Sequence, residues 1–477
     1  MYRRALLFLI LLGLLAACGP FGPSATTPVP AGASPTTVPV PVDTAVATAT
    51  LVPAPTVTAV PPPLASATPL ASATAAAPPQ AAATGTPTVL IISAEATVLP
   101  ATQKQLATIE SEAADLRGLQ PKIQVPAHFV SGAQLKANLT QQIARDYSHE
   151  EARQDALELW LLRLIPDRSL DLYQLQVDLL GEQVIGYYDP DKAELFVRDD
   201  AQPLDATAQD TLAHEFVHSL QDEYFSLKKL RPDHLHDNDR GTAVTALIEG
   251  DAVLSQVLFA QKYMSKADFQ DLLNKSGNAS SAVLDKAPAY IREGLLFPYE
   301  QGVQFVTALY LHGGYPAINA AFADPPQTSE QILHPDKYLA TPRDEALPVS
   351  LPPLTSTLGA GWTLHDTNNL GEFDLGVLLR TNGVDDNLGA TGWGGAQYAL
   401  YEGPAASLLL LDTRWDTSQA AGAFNGDLRQ SFAKATRVGN LWSDGGRFFA
   451  IQHSGDQVIL VSGTDQAAVT RALGAVR

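Results

Sequence analysis

Two histidines four residues apart constrain this chain more than any other feature. They belong to the segment H-E-F-V-H between His214 and His218, within a proline-free stretch at Thr207–Lys229 whose apolar residues recur at roughly helical intervals. In a helix, the two imidazoles project from one face, about 6 Å apart along the axis, and can bind one zinc ion. The intervening Glu215 would then lie beside the metal-bound water. The alternative is an ordinary charged helix that contains two histidines.

Two histidines hold zinc poorly, so a third ligand is expected elsewhere in the chain. The candidate is Glu249, in a helix predicted over Thr242–Tyr263 that is apolar on nearly every side. No lysine or arginine occurs between Arg240 and Lys262, so a buried carboxylate here would be costly unless a cation compensates it. A zinc ion would supply that charge, and Gly250 would let this helix approach the motif helix closely. The alternatives are that Glu249 and the nearby Asp251 face water or pair with a distant arginine.

Two further acids lie near the candidate ligands in the sequence. Asp251 follows Glu249 by two residues and points to a different face of a helix, so both acids cannot easily ligate one ion. Asp222 lies one turn beyond His218. We predict that Asp251 and Asp222 accept hydrogen bonds from the N–H groups of the ligand histidines, with purely structural roles as the alternative.

The N-terminus predicts export and lipidation. Arg3 and Arg4 precede a short apolar core at Ala5–Leu15, and a small-residue sequence, Leu-Ala-Ala-Cys, ends at Cys18. This tetrapeptide resembles the bacterial lipobox, in which the cysteine becomes the lipidated first residue. We therefore predict a signal peptide at 1–17, a lipid anchor at Cys18 and an extracytoplasmic position on the cell membrane. A plain signal peptide is the alternative.

A low-complexity segment separates the N-terminus from the rest of the chain. Residues 18–99 are mostly Ala, Thr, Pro, Val and Ser, and frequent prolines leave nothing that packs a core, so we predict a disordered tether. The chain has 31 basic and 51 acidic residues, and loss of Arg3 and Arg4 with the signal leaves 29 basic residues and a net charge of −22. Such an acidic surface argues against nucleic acid as a partner, whereas the oligomeric state is not indicated.

The residues after the tether are too many for one small core, so we predict two domains, 100–346 and 347–477, divided at a Pro-rich segment. Helices dominate the first, and strand-like runs at Gln183–Tyr188 and Ala193–Val197 predict a β-hairpin just before the motif helix. A strand in that place can hold a peptide as an added strand, and a hairpin with no ligand role is the alternative. The second domain is predicted to be α+β with an antiparallel sheet.

Several individual elements follow from the same periodicities. The helices predicted besides the motif helix are Gln103–Leu116, Gly132–Ala144, Glu150–Leu164, Thr242–Tyr263, Lys266–Lys275, Glu300–Leu311, Tyr315–Ala323, Ser418–Ala433 and Asp465–Val476. The strands predicted in the second domain are Gln397–Tyr401, Ser407–Leu411, Arg447–Gln452 and Gln457–Ser462.

These residues together resemble a known family. His214, Glu215, His218 and the distant Glu249 resemble the gluzincins, the thermolysin-like zinc metallopeptidases. The segments HEFVHSLQDEYF, ALIEGDA and QTSEQILHPDKY are similar to a set of bacterial lipoproteins over roughly Gln183–Tyr338, and more weakly beyond it. One departure is that the downstream glutamate stands in E-G-D-A instead of the E-x-x-x-D of thermolysin. The resemblance implies a zincin-like fold for 100–346, one Zn²⁺ ion and hydrolysis of a peptide or protein substrate.

The resemblance also implies roles for individual side chains. Zinc would lower the pKa of its bound water and polarise the scissile carbonyl, and Glu215 would pass the water's proton to the leaving amine. Such enzymes need a donor that faces the developing oxyanion. Tyr299, His312 and His334 are the candidates, and His334 is favoured because it lies in the family-like ILHP segment.

Three functions remain in competition. The leading one is a membrane-tethered zinc endopeptidase, and the second is a tethered binding or scaffolding lipoprotein with a purely structural metal site. The third is zinc-dependent hydrolysis of a non-peptide amide, as in the cell wall. The glutamate immediately after the first ligand favours an enzyme, because a structural zinc site rarely needs one.

Overall fold

The computed structural model describes residues 97–181, 184–230, 237–276, 282–384 and 389–476. The predicted signal peptide, Cys18 and nearly all of the predicted tether therefore lie outside the described residues. Residues 97–99 lead directly into the first helix.

Helices make up most of the first half of the described chain. The helices predicted near its N-terminus are confirmed. The helices predicted before and after Gly313 and Gly314 are also confirmed, but they form one element that is broken by non-helical backbone at these two glycines. The helices are α1 (Pro100–Arg117), α2 (Gly132–Asp146), α3 (His149–Leu161), α4 (Leu172–Gly181), α5 (Ala206–Phe225), α6 (Leu227–Leu230), α7 (Asn238–Tyr263), α8 (Lys266–Ser276), α9 (Ala282–Lys286), α10 (Ala289–Ala323), α11 (Ser329–Leu333) and α12 (Pro335–Leu339).

A small sheet lies beside the motif helix α5. It consists of β1 (Ala127–Val130), β2 (Gly186–Asp189) and β3 (Glu194–Arg198), in the order β1-β3-β2. Strands β2 and β3 pair antiparallel around the 190–193 turn, which confirms the predicted hairpin, and β1 pairs parallel with β3. Strand β2 is thus an edge of this sheet, and it packs against α5.

The second half is α+β and is built on one antiparallel sheet, as predicted. Its helices and strands are α13 (Thr355–Leu358), β4 (Thr363–Asn369), α14 (Glu372–Thr381), β5 (Trp393–Glu402), β6 (Ser407–Trp415), α15 (Ser418–Gln430), β7 (Thr436–Val438), β8 (Leu441–Asp444), β9 (Arg447–Ser454), β10 (Gln457–Gly463) and α16 (Gln466–Ala475). The seven strands lie in the order β4-β5-β6-β10-β9-β8-β7. The four predicted strands fall within β5, β6, β9 and β10, whereas β4, β7 and β8 were not predicted.

Helix α7 runs through the helical core, between α5 and α10. It is long and apolar enough to cross a membrane, but 83% of its most apolar stretch is buried inside the protein, as in the core helix of a folded domain. A Cβ on Gly250 would lie 2.2 Å from the carbonyl oxygen of Gly302, and one on Gly302 would lie 2.3 Å from that of Ala246. Both glycines are therefore required where α7 crosses α10. This corrects the expectation that Gly250 serves the approach of α7 to α5.

The predicted boundary at residue 347 does not coincide with a break in packing. All described residues belong to one compact unit, and one hydrophobic cluster includes Leu159 and Leu161 of α3 together with Phe424 and Leu460 of the second half. The guanidinium of Arg447 also donates a hydrogen bond to the carbonyl oxygen of Trp160. The division into two domains stays a prediction, and the two parts share a core.

Candidate metal centre

Helix α5 holds both motif histidines on its buried side. Asp205 begins the helix by accepting a hydrogen bond from the Ala208 N–H at 2.8 Å, and Leu212 anchors its apolar face in the core. One helical turn separates His214 from His218, so their rings project in the same direction. Their Nε2 atoms lie 3.0 Å apart. The two imidazoles therefore converge on one point.

Helix α7 brings a carboxylate to the same point. The Oε2 of Glu249 lies 3.4 Å from the Nε2 of His214 and 3.4 Å from the Nε2 of His218. Zinc bonds of about 2.0–2.1 Å at tetrahedral angles would place the ligand atoms about 3.3 Å apart. The three observed separations match that spacing, so the structure brings together the three side chains predicted as ligands.

The Glu249 carboxylate is buried against the two imidazoles. No donor among the described residues, other than the two facing imidazoles, approaches the buried Glu249 carboxylate, which has a relative exposure of 0%. Burial acts to raise the pKa of Glu249, but the adjacent imidazoles outweigh it and lower that pKa to about 2. Burial acts to lower the pKa of His218, but the Glu249 charge raises it to about 9, whereas burial lowers the pKa of His214. A buried carboxylate opposed by two imidazole nitrogens fits a bound zinc ion.

Glu215 lies beside the three ligands and is held at one oxygen only. Its Oε2 accepts a hydrogen bond from the Tyr188 N–H of β2 at 2.8 Å, while its buried Oε1 has no hydrogen-bond partner among the described residues. Burial raises the pKa of Glu215 to about 8, with the neighbouring His218 acting in the opposite direction. The carboxyl group is thus fixed in position, with one oxygen able to take up a proton near neutral pH.

Glutamines contact the outward nitrogens of both histidines, which the sequence analysis did not predict. The Nδ1 of His214 lies 3.1 Å from Oε1 of Gln256, and the Nδ1 of His218 lies 2.8 Å from Oε1 of Gln221. The sequence spacing of both glutamines from the ligands could have predicted these contacts. Gln221 follows His218 by three residues and Gln256 follows Glu249 by seven, so each glutamine shares a helix face with a ligand.

The acids predicted to hold the histidine N–H groups have other partners. Asp251 accepts hydrogen bonds from Gln221 Nε2 at 2.8 Å and from Arg117 Nε at 3.0 Å, so it reaches His218 only through the glutamine. Asp222 accepts hydrogen bonds from the Tyr188 hydroxyl at 3.1 Å and from the Leu227 N–H at 2.9 Å. These contacts correct the expected roles. The amide side chains are closer to the imidazoles, and Asp222 joins α5 to β2 and α6 instead.

None of the candidate oxyanion donors contacts the three ligands through a described hydrogen bond. His334, at the end of α11, forms an ion pair with Glu372 of α14 at 3.0 Å, and this contact raises the pKa of His334. His312 is exposed near the break in α10, and Tyr299 is buried in a hydrophobic cluster. His334 is therefore engaged by Glu372 and has no described hydrogen bond to the metal centre.

A second group of acids with metal-like spacing surrounds a lysine. Glu330, Asp344 and Asp416 offer oxygen atoms within 4.8 Å of one another. The Nζ of Lys337 lies 2.7 Å from Glu330, 2.7 Å from Asp344 and 3.1 Å from Asp416. An ammonium group already compensates these charges, so the cluster joins α11, α12 and the end of β6 as a salt-bridge network.

Comparison with known proteins identifies only part of the chain. Residues 361–473, which include the seven-stranded sheet, match the model of a domain of unknown function, DUF8575. No curated protein matches the chain. No solved structure matches it either. The matched residues do not include the candidate metal centre, so its assignment depends on the geometry described above.

Proposed function

We propose that this protein is a zinc-dependent peptidase that is tethered to the membrane. His214, His218 and Glu249 would hold one Zn²⁺ ion, and Glu215 would act as the general base. Its helical part would have a zincin-like fold, in keeping with the resemblance to the gluzincins. Its substrates would be peptides or proteins outside the cytoplasm.

The observation that carries this proposal is the state of Glu215. A purely structural zinc site is complete with its ligands and does not need a fourth, non-ligating carboxyl group beside them. Here such a group is buried, is oriented by the Tyr188 N–H and keeps its Oε1 without a hydrogen-bond partner among the described residues. Its pKa of about 8 suits a group that gains and loses a proton near neutral pH.

The side chains would divide the chemistry as follows. When bound, zinc would supply Lewis-acid activation of a water molecule and of the scissile carbonyl. The Oε1 of Glu215 would accept a proton and return it to the leaving amine, while the Tyr188 N–H keeps the carboxyl group in place through Oε2. Because the two oxygens have separate tasks, the carboxyl group need not rotate during proton transfer.

Strand β2 would align the substrate. Its pairing with β3 includes a hydrogen bond from the Arg198 N–H to the Ile185 carbonyl oxygen, so the alternate residues Gly186 and Tyr188 direct their backbone groups away from β3. The Tyr188 N–H is the group that meets Glu215, which places this side of β2 next to the motif helix. A peptide added along this edge would pair with the backbone of Gly186 and pass the metal centre, while the Tyr188 N–H stays engaged with Glu215.

A second candidate function is favoured by a different observation. The side chains of His214, His218 and Glu249 have relative exposures of 0%, 2% and 0%, as expected of a structural metal site. In that case the protein would be a tethered binding or scaffolding lipoprotein. In the peptidase, parts of the chain that cover the site would have to move before a substrate enters.

A peptide-library digest separates the two functions. The full-length protein would be freed of metal with a chelator, reloaded with one equivalent of zinc and incubated with the library in both states. We expect cleavage by the zinc-loaded protein, loss of cleavage on chelation and recovery on reloading. Stoichiometric zinc without cleavage would instead favour the scaffolding function.

The membrane attachment is proposed from the sequence and has its own test. A lipid on Cys18 would retain the protein in the membrane fraction, and residues 18–99 would separate the folded part from the bilayer. In cells that carry the full gene, Cys18→Ser should release the protein from washed membranes. Unchanged membrane retention of this variant would contradict the lipid anchor.

A further inference from the structure

We infer that Gln221 and Gln256 are positioning residues, each linking an aspartate to one ligand histidine and thereby setting the protonation of that histidine for metal binding. The inference rests on the proposed zinc site. It adds four side chains that the sequence resemblance does not supply in these roles: Asp210, Gln221, Asp251 and Gln256.

Each chain of contacts from an aspartate through a glutamine to a ligand histidine is called a relay. The first relay runs from Asp210 to His214. The Nε2 of Gln256 donates a hydrogen bond to Oδ2 of Asp210 at 2.6 Å, and Oε1 of Gln256 lies 3.1 Å from Nδ1 of His214. All three side chains are buried, with relative exposures of 5%, 7% and 0% in the order Asp210, Gln256, His214. Water therefore does not compete for these hydrogen bonds.

The second relay runs from Asp251 to His218. The Nε2 of Gln221 donates to Oδ2 of Asp251 at 2.8 Å and to the Ile248 carbonyl oxygen at 3.0 Å. Its Oε1 lies 2.8 Å from Nδ1 of His218. Two acceptors thus hold the NH₂ end of this amide.

The direction of each amide follows from the chemistry of its neighbours. The NH₂ end of each glutamine faces a carboxylate oxygen of its aspartate and donates a hydrogen bond to it. The carbonyl end then faces the imidazole and can only accept, which requires that the proton of each neutral ring be on Nδ1. The Nε2 lone pairs of His214 and His218 are consequently left facing Glu249, where they could bind the proposed zinc ion.

The two relays also connect α5 and α7 in opposite directions. Helix α5 supplies Gln221, which contacts Asp251 of α7, and α7 supplies Gln256, which contacts Asp210 of α5. Any separation of the helices would break both relays and move Glu249 away from the histidines. The relays therefore couple the geometry of the third ligand to the tautomers of the first two.

The test uses volume-conserving variants that remove the amide. Gln256→Met and Gln221→Met, made separately in the full-length protein, should each weaken zinc binding about 10–100-fold, the effect typical of losing an outer partner of a ligand histidine. Zinc affinity would be measured by competition with a chromophoric chelator. Gln209→Met is the matched control, because Gln209 lies on α5 like Gln221, and among the described residues its amide donates to the Leu204 carbonyl oxygen and contacts neither histidine.

A double variant separates positioning from packing. Asp210→Asn with Gln256→Glu exchanges the amide and the carboxylate without a change of size. The carboxylate at position 256 can still accept a hydrogen bond from His214, and the amide at position 210 can donate one to that carboxylate. This variant should bind zinc within a few-fold of the parent protein, although it carries two substitutions. In the zinc-loaded parent, ¹⁵N NMR of the imidazoles should show protonated Nδ1 and coordinated Nε2 for both histidines.

The outcomes distinguish this inference from the function on which it rests. If the parent binds one zinc ion and both methionine variants bind it as tightly, the relays are overturned while the proposed function stands. Coordination through Nδ1 would overturn them as well, even if the methionine variants do not fold. Failure of the double variant to recover affinity relative to Gln256→Met would overturn the relay from Asp210 to His214. A parent protein that binds no zinc would overturn both proposals.

Discussion

The guanidinium of Arg117 and the carboxylate of Asp251 form a buried salt bridge, with Nε 3.0 Å from Oδ2 and both side chains at 0% exposure. Arg117 is the last residue of α1 and lies 134 positions before Asp251. Its Nη2 donates to Oδ1 of Asn319 at 2.7 Å, and its guanidinium lies 4.6 Å from the centroid of the Tyr315 ring. The α1 helix and the last part of α10 are thereby connected to the hydrogen-bond network behind His218.

This salt bridge predicts a large loss of stability when the arginine is removed. Arg117→Met would leave the Asp251 charge buried with only Gln221 and no cation, which costs about 3–5 kcal/mol in comparable buried pairs. Urea unfolding, followed by circular dichroism, would measure the change. Adding Asp251→Asn to Arg117→Met removes the uncompensated charge, so the double variant should be more stable than the single one. A double variant that is no more stable would contradict the assigned pairing.

If Glu249 is the third ligand, its removal should weaken zinc binding much more than the removal of Asp222. Glu249→Gln replaces the carboxylate with a neutral amide, so zinc affinity should fall by more than the roughly 10–100-fold expected for loss of an outer partner. Asp222→Asn is the control of similar size, because Asp222 contacts Tyr188 and Leu227 and neither histidine. Its zinc affinity should stay close to that of the parent. Equal losses in the two variants would argue against ligation by Glu249.

The crossing of α7 and α10 predicts opposite effects for two glycines on one helix. Gly302→Ala would place a methyl group 2.3 Å from the Ala246 carbonyl oxygen, so the helices must separate, at a cost of about 1–3 kcal/mol. Since Ala246 is one turn from Glu249, zinc binding should weaken as well. Gly294→Ala meets no atom within 4 Å and should stabilise the helix by about 0.5–1 kcal/mol. Thermal unfolding would detect both changes, and a stabilising Gly302→Ala would be inconsistent with this packing.

Local patterns in the sequence predicted a large part of the helical half. The motif helix followed from apolar spacing and the absence of proline, and the hairpin followed from two short β-rich runs around a turn. Glu249 followed from a charge argument, because its apolar helix contains no nearby cation. No residue of α7 compensates either acid, as that argument predicts, and Asp251 follows the alternative of pairing with a distant arginine. The compensating Arg117 comes from a helix that local sequence cannot bring into contact.

Other features were missed for identifiable physical reasons. Gln221 and Gln256 lie at helical spacing from ligands, but a neutral amide lacks the charge that makes an acid stand out as a partner of a histidine N–H group. Strand β4, Thr363–Asn369, has a polar sequence with little β propensity and forms by pairing with β5 at the edge of the sheet. His334 was favoured because of its neighbours in the sequence, whereas its contact with Glu372 depends on the packing of α11 against α14.

The most direct measurement compares hydrolysis by the parent protein and its Glu215→Gln variant at equal zinc occupancy. The amide keeps the size of the side chain and can still accept the hydrogen bond from the Tyr188 N–H, but it cannot take up a proton at Oε1. Each protein would be checked for one zinc ion per chain and then incubated with the same peptide library. The account predicts full zinc content in both proteins and a loss of cleavage rate of about 10²–10⁴-fold or more in the variant. Cleavage at the parent rate by the zinc-loaded variant would contradict the central role assigned to Glu215.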